Sequence, residues 1–506
     1  MEAHPSSLSS LKGTNIVEKE FSTMSTEGGT VRAQKKHFNF WSALGIQYSV
    51  TAAPLTLGMY MSLSVGLGGA PFYFWGFIFV GIMQFIGALA VSEIASALPH
   101  SSGPAHWVMV LAPPRYAQLL GYMMGWLTNC AWMCVCAASC LYPAQLLAAL
   151  IQVAHPDVVI EPWHTYLLYL AVALMGLVTN LPKAFHCVEY LMSASVILIN
   201  GTAIFLFVSL LVLAKPKASA ETVFVDVVNE SGWSSNGVVF FLSLIPGLAA
   251  LGGLDNAVHL TDELAEPRKQ VPRIIIGSFL MSFFTGVPII ICYQFSNVNP
   301  MALLDPVARQ PFVQLLLSGY GSIALTVTGI TLVLICILAA YSACIISWSR
   351  LYWSFSQNGT LPLSSFTSRL SSTDDLPLYS LVWCTVILAA IGAISIGSLT
   401  AMNALLGGAV VCSLIAFATV FALALLKGRD NICESRVFDL GIFGPFCYWT
   451  MLIWCLFMTV WLCMPLYLPV TLETMNWTSV VVAGFAAISG IWWVLVFSRQ
   501  KLTTAE

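Results

Sequence analysis

Three side chains able to hold or pass a proton recur at a spacing of four within an otherwise apolar stretch: Asp255, His259 and Glu263. On an α-helix that spacing stacks them along one face. A line of acid, imidazole and acid is a proton path, since histidine titrates near neutral pH. Directly upstream stand Gly252 and Gly253, and before them Pro246 and Gly247. Proline removes a backbone donor and glycine weakens a helix, so the chain is expected to open there, with Asp255 placed to meet a substrate ammonium. A second interruption, Thr51-Ala52-Ala53-Pro54 followed by Thr56 and Gly58, offers hydroxyls, free backbone groups and the positive end of a half-helix to an anionic group. The candidate substrate-binding residues are thus Thr51, Ala52, Thr56, Gly58, Gly252, Gly253, Asp255 and Tyr341. Trp132 and Phe240 join Tyr341 by position as walls of an aromatic box for an organic cation, and Ser342 is a candidate for a cation site beside the first break. Asp255, His259 and Glu263 are the candidate proton carriers. Glu93 and Glu189, at the ends of their apolar runs, read as ion pairs or caps.

The elements that must carry these residues follow from composition. Of 506 residues 58% are apolar and 8% charged, whereas a soluble domain carries about 25% charged residues. The chain is therefore read as an integral membrane protein. Apolar runs such as 77–91 and 323–340 continue without the alternation a β-barrel requires, so the fold class expected is all-α. Spans of about 20 residues are read at 41–66, 72–98, 118–150, 163–181, 187–213, 237–264, 272–295, 322–348, 379–397, 400–426, 443–468 and 478–497, which makes twelve.

With the N-terminus in the cytoplasm, 17 of the 20 lysines and arginines fall in inner segments, and Lys215, Lys217 and Arg309 fall outside. That bias is what the positive-inside rule demands of a correct topology, and it places both termini in the cytoplasm. The first 37 residues are polar and lack a signal-peptide core; this tail reads as disordered. Of the N-x-S/T sequons, those at Asn229 and Asn476 land in outer loops and are candidate glycosylation sites. Asn200 lies inside a span and Asn358 in an inner loop.

The two interruptions occupy the first and sixth spans. Open backbone in hydrocarbon is tolerated where it lines a protein cavity, and paired breaks in two halves point to an inverted-repeat transporter with its site at the midplane. The organisation expected is a cytoplasmic tail (1–40), a first five-helix repeat (41–213), an outer loop (214–236), a second five-helix repeat (237–426), two additional helices (427–498) and a short tail (499–506).

Three segments resemble the amino acid–polyamine–organocation superfamily, in particular its fungal branch of amino acid, choline and γ-aminobutyrate permeases. The second span ends in Ser92-Glu93-Ile94-Ala95-Ser96-Ala97-Leu98-Pro99 and continues into Ser101-Ser102-Gly103-Pro104-Ala105-His106-Trp107. The sixth runs Gly252-Gly253-Leu254-Asp255 through Thr261-Asp262-Glu263 to Pro267, Pro272 and Arg273, similar to the family's unwound segment and the basic loop after it. The eighth leaves through Ser349-Arg350 toward Asn358-Gly359-Thr360-Leu361-Pro362. The resemblance implies a secondary active permease working by alternating access, with protons as the coupling partner, a small amine or amino acid as substrate, and the plasma membrane as its site. Two departures stand out. Ala52-Ala53-Pro54 occupies the place where many members carry G-x-G, and the fifth span lacks the lysine found in some proton-coupled bacterial members.

Other classes fare worse. A net charge of −3 without a basic patch argues against nucleic acid. The phosphate-binding loop of an ATP-driven pump and the H-E-x-x-H of an intramembrane protease are both absent. Nearly all 14 cysteines sit in apolar runs, and no acid or histidine stands near Cys130, Cys134, Cys136 and Cys140 to complete a metal site. Neither metal nor cofactor is expected. A nutrient sensor with a transporter fold, and an exporter or exchanger of a specialised metabolite, remain as alternatives.

Overall fold

Among the described residues of the computed structural model, ten helices are long and apolar enough to cross a membrane, from Gly69–Ala97 to Thr478–Phe497. The structure describes residues 37–497 apart from 372–374, 430–431, 433–435 and 473; residues 1–36 of the polar tail read above as disordered lie outside them. Two further spans are broken, and they are the two whose breaks the sequence marks. The first runs as Phe40–Thr51 and Ala53–Met59, and the sixth as Asn236–Leu242, Ile245–Ala250 and a 3₁₀ helix, Asn256–Glu263. Twelve spans result, as read. Among the described residues, extended structure amounts to one isolated bridge between Leu67 and Asn229.

Proline supplies much of the punctuation. Helices open on Pro104, Pro114, Pro162, Pro182, Pro267 and Pro311, where the missing N–H would have had no intrahelical partner. The first span is instead capped by Asn39, whose Oδ1 accepts from the N–H groups of Trp41 at 2.8 Å and Ser42 at 3.0 Å. Such a cap satisfies donors that a helix start otherwise leaves bare.

Two short helices were not foreseen: Pro104–Leu111 between the second and third spans, and Pro311–Tyr320 between the seventh and eighth. At eight and ten residues they are too short to register as spans. They occupy the same place in each run of five spans, so the order of broken span, long span, short helix and long span occurs twice. Because five is odd, the second run crosses in the opposite sense, and the short helices lie at opposite ends.

The loops gather accordingly. At the end that carries most basic residues, Ser96 Oγ donates to Arg268 O at 2.9 Å, Lys427 Nζ to Val110 O at 2.9 Å, and Phe38 lies beside Glu263. At the opposite end Ala218 pairs with Phe295, Leu468 with Ser231, and Gln310 with Gln145.

The interior divides in two. One apolar cluster is built by the third, fourth, eighth and ninth spans, through Trp132, Cys136, Tyr169, Ala173, Tyr341, Trp348 and Leu388 among others, with Phe497 from the last helix. A larger cluster takes in the first, second, fifth, sixth, seventh, tenth and eleventh, together with the other faces of the third, through Leu127 and Leu146, and of the eighth, through Val333 and Ile346. The twelfth span is peripheral, with 11% of its apolar window buried against 61% for the third.

Candidate functional site

The two breaks lie against each other, stitched by a residue the sequence did not single out. Gln47, 1% exposed, donates from Nε2 to Gly253 O at 2.9 Å and accepts at Oε1 from the Ala257 N–H at 2.7 Å. Its amide thereby answers one donor and one acceptor that the interrupted sixth span would otherwise strand. Asn256 Nδ2 adds a bond to Ile46 O at 3.3 Å. Gly253 has φ +66° and Val50 at 3.4 Å from where a Cβ would stand, which suits glycine.

At the first break Ala52 takes φ 35°, ψ 46°, a left-handed conformation costly to any residue with a Cβ. Its N–H still closes onto Tyr48 O at 2.8 Å. Thr56 Oγ1 caps Thr51 O at 2.9 Å, and Thr51 Oγ1 meets Ser282 of the seventh span at 2.8 Å. Tyr293 and Tyr73 donate to the carbonyls of Pro54 and Leu57, at 2.9 and 2.5 Å. The second half of this span has seven residues, with proline among its first two, so it presents fewer N–H groups to an anion than expected. Gly58 is spoken for by packing: the Phe312 ring lies 2.2 Å from the position a Cβ would take.

Asp255 is 3% exposed and stands immediately after the break. Its Oδ2 receives Trp132 Nε1–H of the third span at 3.2 Å and faces His259 Nε2 at 3.2 Å. The indole and imidazole meet edge to face, 5.4 Å between centroids. Both contacts use Oδ2, and among the described residues Oδ1 makes no hydrogen bond. Beyond His259 the line continues through Ser101: its carbonyl lies 2.8 Å from His259 Nδ1 and its hydroxyl donates to Asp262 Oδ2.

Glu263 leaves this line. The segment is a 3₁₀ helix, which turns by about 120° per residue and brings residues three apart onto one face. His259 and Asp262 therefore both reach Ser101, while Glu263 turns to Arg350 of the eighth span at 2.8 Å, with side chains 1% and 3% exposed. Arg350 lies over the Phe185 ring, which also packs on Phe38.

Other expectations land elsewhere. The Tyr341 ring lies against Gly176 and its hydroxyl reaches Ala173 O at 3.5 Å, within the core of spans three, four, eight and nine, so the fold does not bring it to the breaks. Ser342 likewise meets Thr179 of the fourth span at 3.4 Å. Phe240 packs on Phe72, Phe79 and Phe241. Of the three aromatic candidates, Trp132 alone touches Asp255.

Glu93 and Glu189 act as ties. Glu189 Oε1 accepts from Asn39 Nδ2 at 2.9 Å. Glu93, 1% exposed, accepts from Arg429 Nη2 at 2.5 Å, Tyr448 OH at 2.9 Å and the Leu440 N–H at 3.0 Å. Ser96 Oγ, one helical turn on, accepts from the N–H groups of Val437 and Phe438, both at 3.0 Å. In the loop after the second span His100 and His106 stack 4.1 Å apart. Burial pulls His100 below the ordinary histidine range and His106 well below it; the Asp262 carboxylate partly opposes this at His100.

The amino acid permease family model matches residues 38–486. The chain belongs to the amino acid permease family. Over 461 residues, 91% of this permease and 81% of its relative, it is 27% identical to a choline transporter of Saccharomyces cerevisiae. It is 27% identical over 480 residues, 92% of each chain, to a swainsonine transporter of Arthroderma benhamiae. A 7-keto 8-aminopelargonic acid transporter of Saccharomyces cerevisiae is 25% identical over 523 residues, 90% of the permease and 91% of the relative. The permease is a multi-pass membrane protein and a secondary transporter of small organic solutes.

Proposed function

We propose that the permease carries a small amine, an organic cation of the choline type ahead of an α-amino acid or γ-aminobutyrate, into the cell together with protons across the plasma membrane. The observation that carries this reading is Asp255: a buried carboxylate at the junction of two broken spans, with one oxygen that makes no hydrogen bond among the described residues and the Trp132 indole alongside. A carboxylate backed by an aromatic face suits an ammonium group. The short second half of the first span, with proline near its start, makes the carboxylate end of an amino acid the weaker handle. The relative named for choline transport supports the same choice.

Alternating access follows from the division of the core. The fourth and ninth spans pack on one face of the third and eighth, and the broken spans lie in the cluster on the other face, so rocking the broken spans against this group would expose the breaks to each side in turn. The basic end is taken as cytoplasmic on the strength of the charge bias.

The test is uptake of labelled choline, γ-aminobutyrate and a mixed amino-acid panel into cells expressing the chain, with and without an uncoupler. Choline accumulation that collapses with uncoupler is expected, together with its loss in Asp255→Asn at unchanged surface expression. Uptake confined to α-amino acids, or normal choline uptake by Asp255→Asn, would overturn the reading.

A further inference from the structure

At the basic end the sixth span meets Ser101 and the eighth span through polar contacts at three of its side chains: His259 with Ser101 O, Asp262 with Ser101 Oγ, and Glu263 with Arg350. Ser101 is held to the eighth span, though it follows the second. Its hydroxyl and that of Ser102 bond Ser354 of the eighth span at 3.0 and 2.8 Å, and the helix Pro104–Leu111 behind it packs on the third and tenth spans. The His259–Ser101 contact is thus a closure between the sixth span and the eighth.

Hydrogen bookkeeping at His259 decides how that closure is controlled. The Ser101 carbonyl can accept and cannot donate, so Nδ1 must carry a hydrogen. On the other side of the ring Nε2 faces Asp255 Oδ2, an oxygen that already receives the Trp132 N–H. An imidazole held between two acceptors needs two hydrogens, whereas the neutral ring has one. The arrangement therefore contains one extra proton, on Nε2 or on the carboxyl. If it is lost, the remaining N–H has two claimants, and the carboxylate, being charged, is the stronger acceptor. The ring must then give up Ser101.

We propose that Asp255 and His259 share one proton in the closed state and that this proton latches the cytoplasmic gate, Ser101 being released when it leaves. The reading rests on the proton-coupled function above. The proton adds to a nitrogen or carboxylate lone pair and breaks no other bond; it departs to water at the basic end, where Asp262 is the next acceptor along Ser101. Gly103 keeps the ring in place: with φ +54°, it stands where a Cβ would sit 3.1 Å from His259 Cε1. The charged groups around the latch are Asp255 and Asp262 on its own span, His100 facing Asp262, the Glu263–Arg350 pair, and Arg268 and Arg273 at the start of the seventh span. The first and third spans contribute the neutral Gln47 and Trp132.

The test needs no substrate. Hydrogen exchange of the full chain in lipid nanodiscs is followed across residues 99–103 and 256–263 as pH is raised from neutral, after correction for intrinsic exchange. Wild type should lose protection by up to about tenfold per pH unit, the slope of a one-proton linkage. Asp255→Asn should stay protected at every pH, because a neutral amide no longer outcompetes the Ser101 carbonyl for the one hydrogen of the neutral ring. His259→Gln should lose the pH dependence and be open throughout. A flat wild-type profile, or the wild-type slope retained in Asp255→Asn, would overturn the latch. Uncoupler-sensitive choline uptake with a flat exchange profile would fault the latch alone; a sloped profile with uncoupler-insensitive uptake would fault the proton-coupled function alone.

Discussion

Glu263 Oε1 and Arg350 Nε lie 2.8 Å apart with both side chains almost wholly removed from water, and the pair fastens the sixth span to the eighth at the basic end. Breaking a buried ion pair leaves an uncompensated charge, at a cost of about 3–5 kcal/mol, whereas replacing both partners is far milder. Arg350→Ala should therefore lower the melting temperature in detergent much more than Glu263→Gln combined with Arg350→Gln. Equal losses would show that the pair contributes shape rather than charge compensation.

Gln47 answers a donor and an acceptor at once. Gln47→Ala leaves the Ala257 N–H and the Gly253 carbonyl in want of partners, each worth about 1–3 kcal/mol when buried. Gln47→Glu keeps the acceptor for Ala257 and loses the donor to Gly253. Initial uptake rates at matched surface expression should rank wild type, Glu, Ala in descending order, with the alanine variant down by about tenfold or more; wild-type rates in the alanine variant would show that the breaks hold together without it.

Ala52 pays for its left-handed backbone with a Cβ. Glycine there should stabilise the chain by about 1 kcal/mol, and Ala52→Val should destabilise it more strongly, because branching at Cβ worsens the same clash. Thermal unfolding of the two variants checks the sign. A destabilised Ala52→Gly would mean that the break depends on the methyl group for packing.

The loop holding His100 and His106 should loosen in acid. Both imidazoles are lowered in the folded protein from an unfolded value of 6.5, chiefly by burial. A group with a depressed folded pKa contributes stability above its unfolded value and loses it as pH falls toward the folded one. Exchange protection over 104–111, outside the segment that the latch controls, should thus be full above about pH 6.5 and decline below it, and His106→Phe should reduce that acid loss. Protection that strengthens in acid would reverse the sign.

Both outer sequons should remain unmodified. Asn229 Nδ2 donates to Trp233 O at 2.8 Å, and Asn476 Nδ2 to Leu462 O and Met464 O at 2.8 and 2.9 Å; their hydroxyl residues, Ser231 and Thr478, are 0% and 3% exposed. A glycosidase should leave the electrophoretic mobility unchanged, and a shift would show that modification precedes the folding of these loops.

The breaks were legible because Pro54 and Gly252-Gly253 disrupt helices by their own covalent structure, whatever surrounds them. The line of proton carriers was legible in part. Asp255 and His259 meet as the spacing of four suggests, yet Glu263 departs because the segment winds as a 3₁₀ helix, which periodicity in an eight-residue stretch does not disclose. Gln47 escaped notice since a lone glutamine in a span carries no pattern; its meaning comes from Gly253 and Ala257, some two hundred positions away in sequence. Tyr341 failed for the converse reason. Its span passes near the site, but which face a tyrosine presents is set by packing against Gly176.

The clamp of Glu93 and Ser96 onto residues 429–448 bears on modularity. The repeated ten-span unit looks self-sufficient in its order of elements, with the last two spans as an appendix. Chemically it is not detachable: cutting the chain after the tenth span would strip the buried Glu93 of Arg429, Tyr448 and the Leu440 amide together, and leave an anion in the second span with no counter-charge. Removing the appendix would require rewriting Glu93 as well, so the last two spans are joined to the repeated unit through the buried end of the second span.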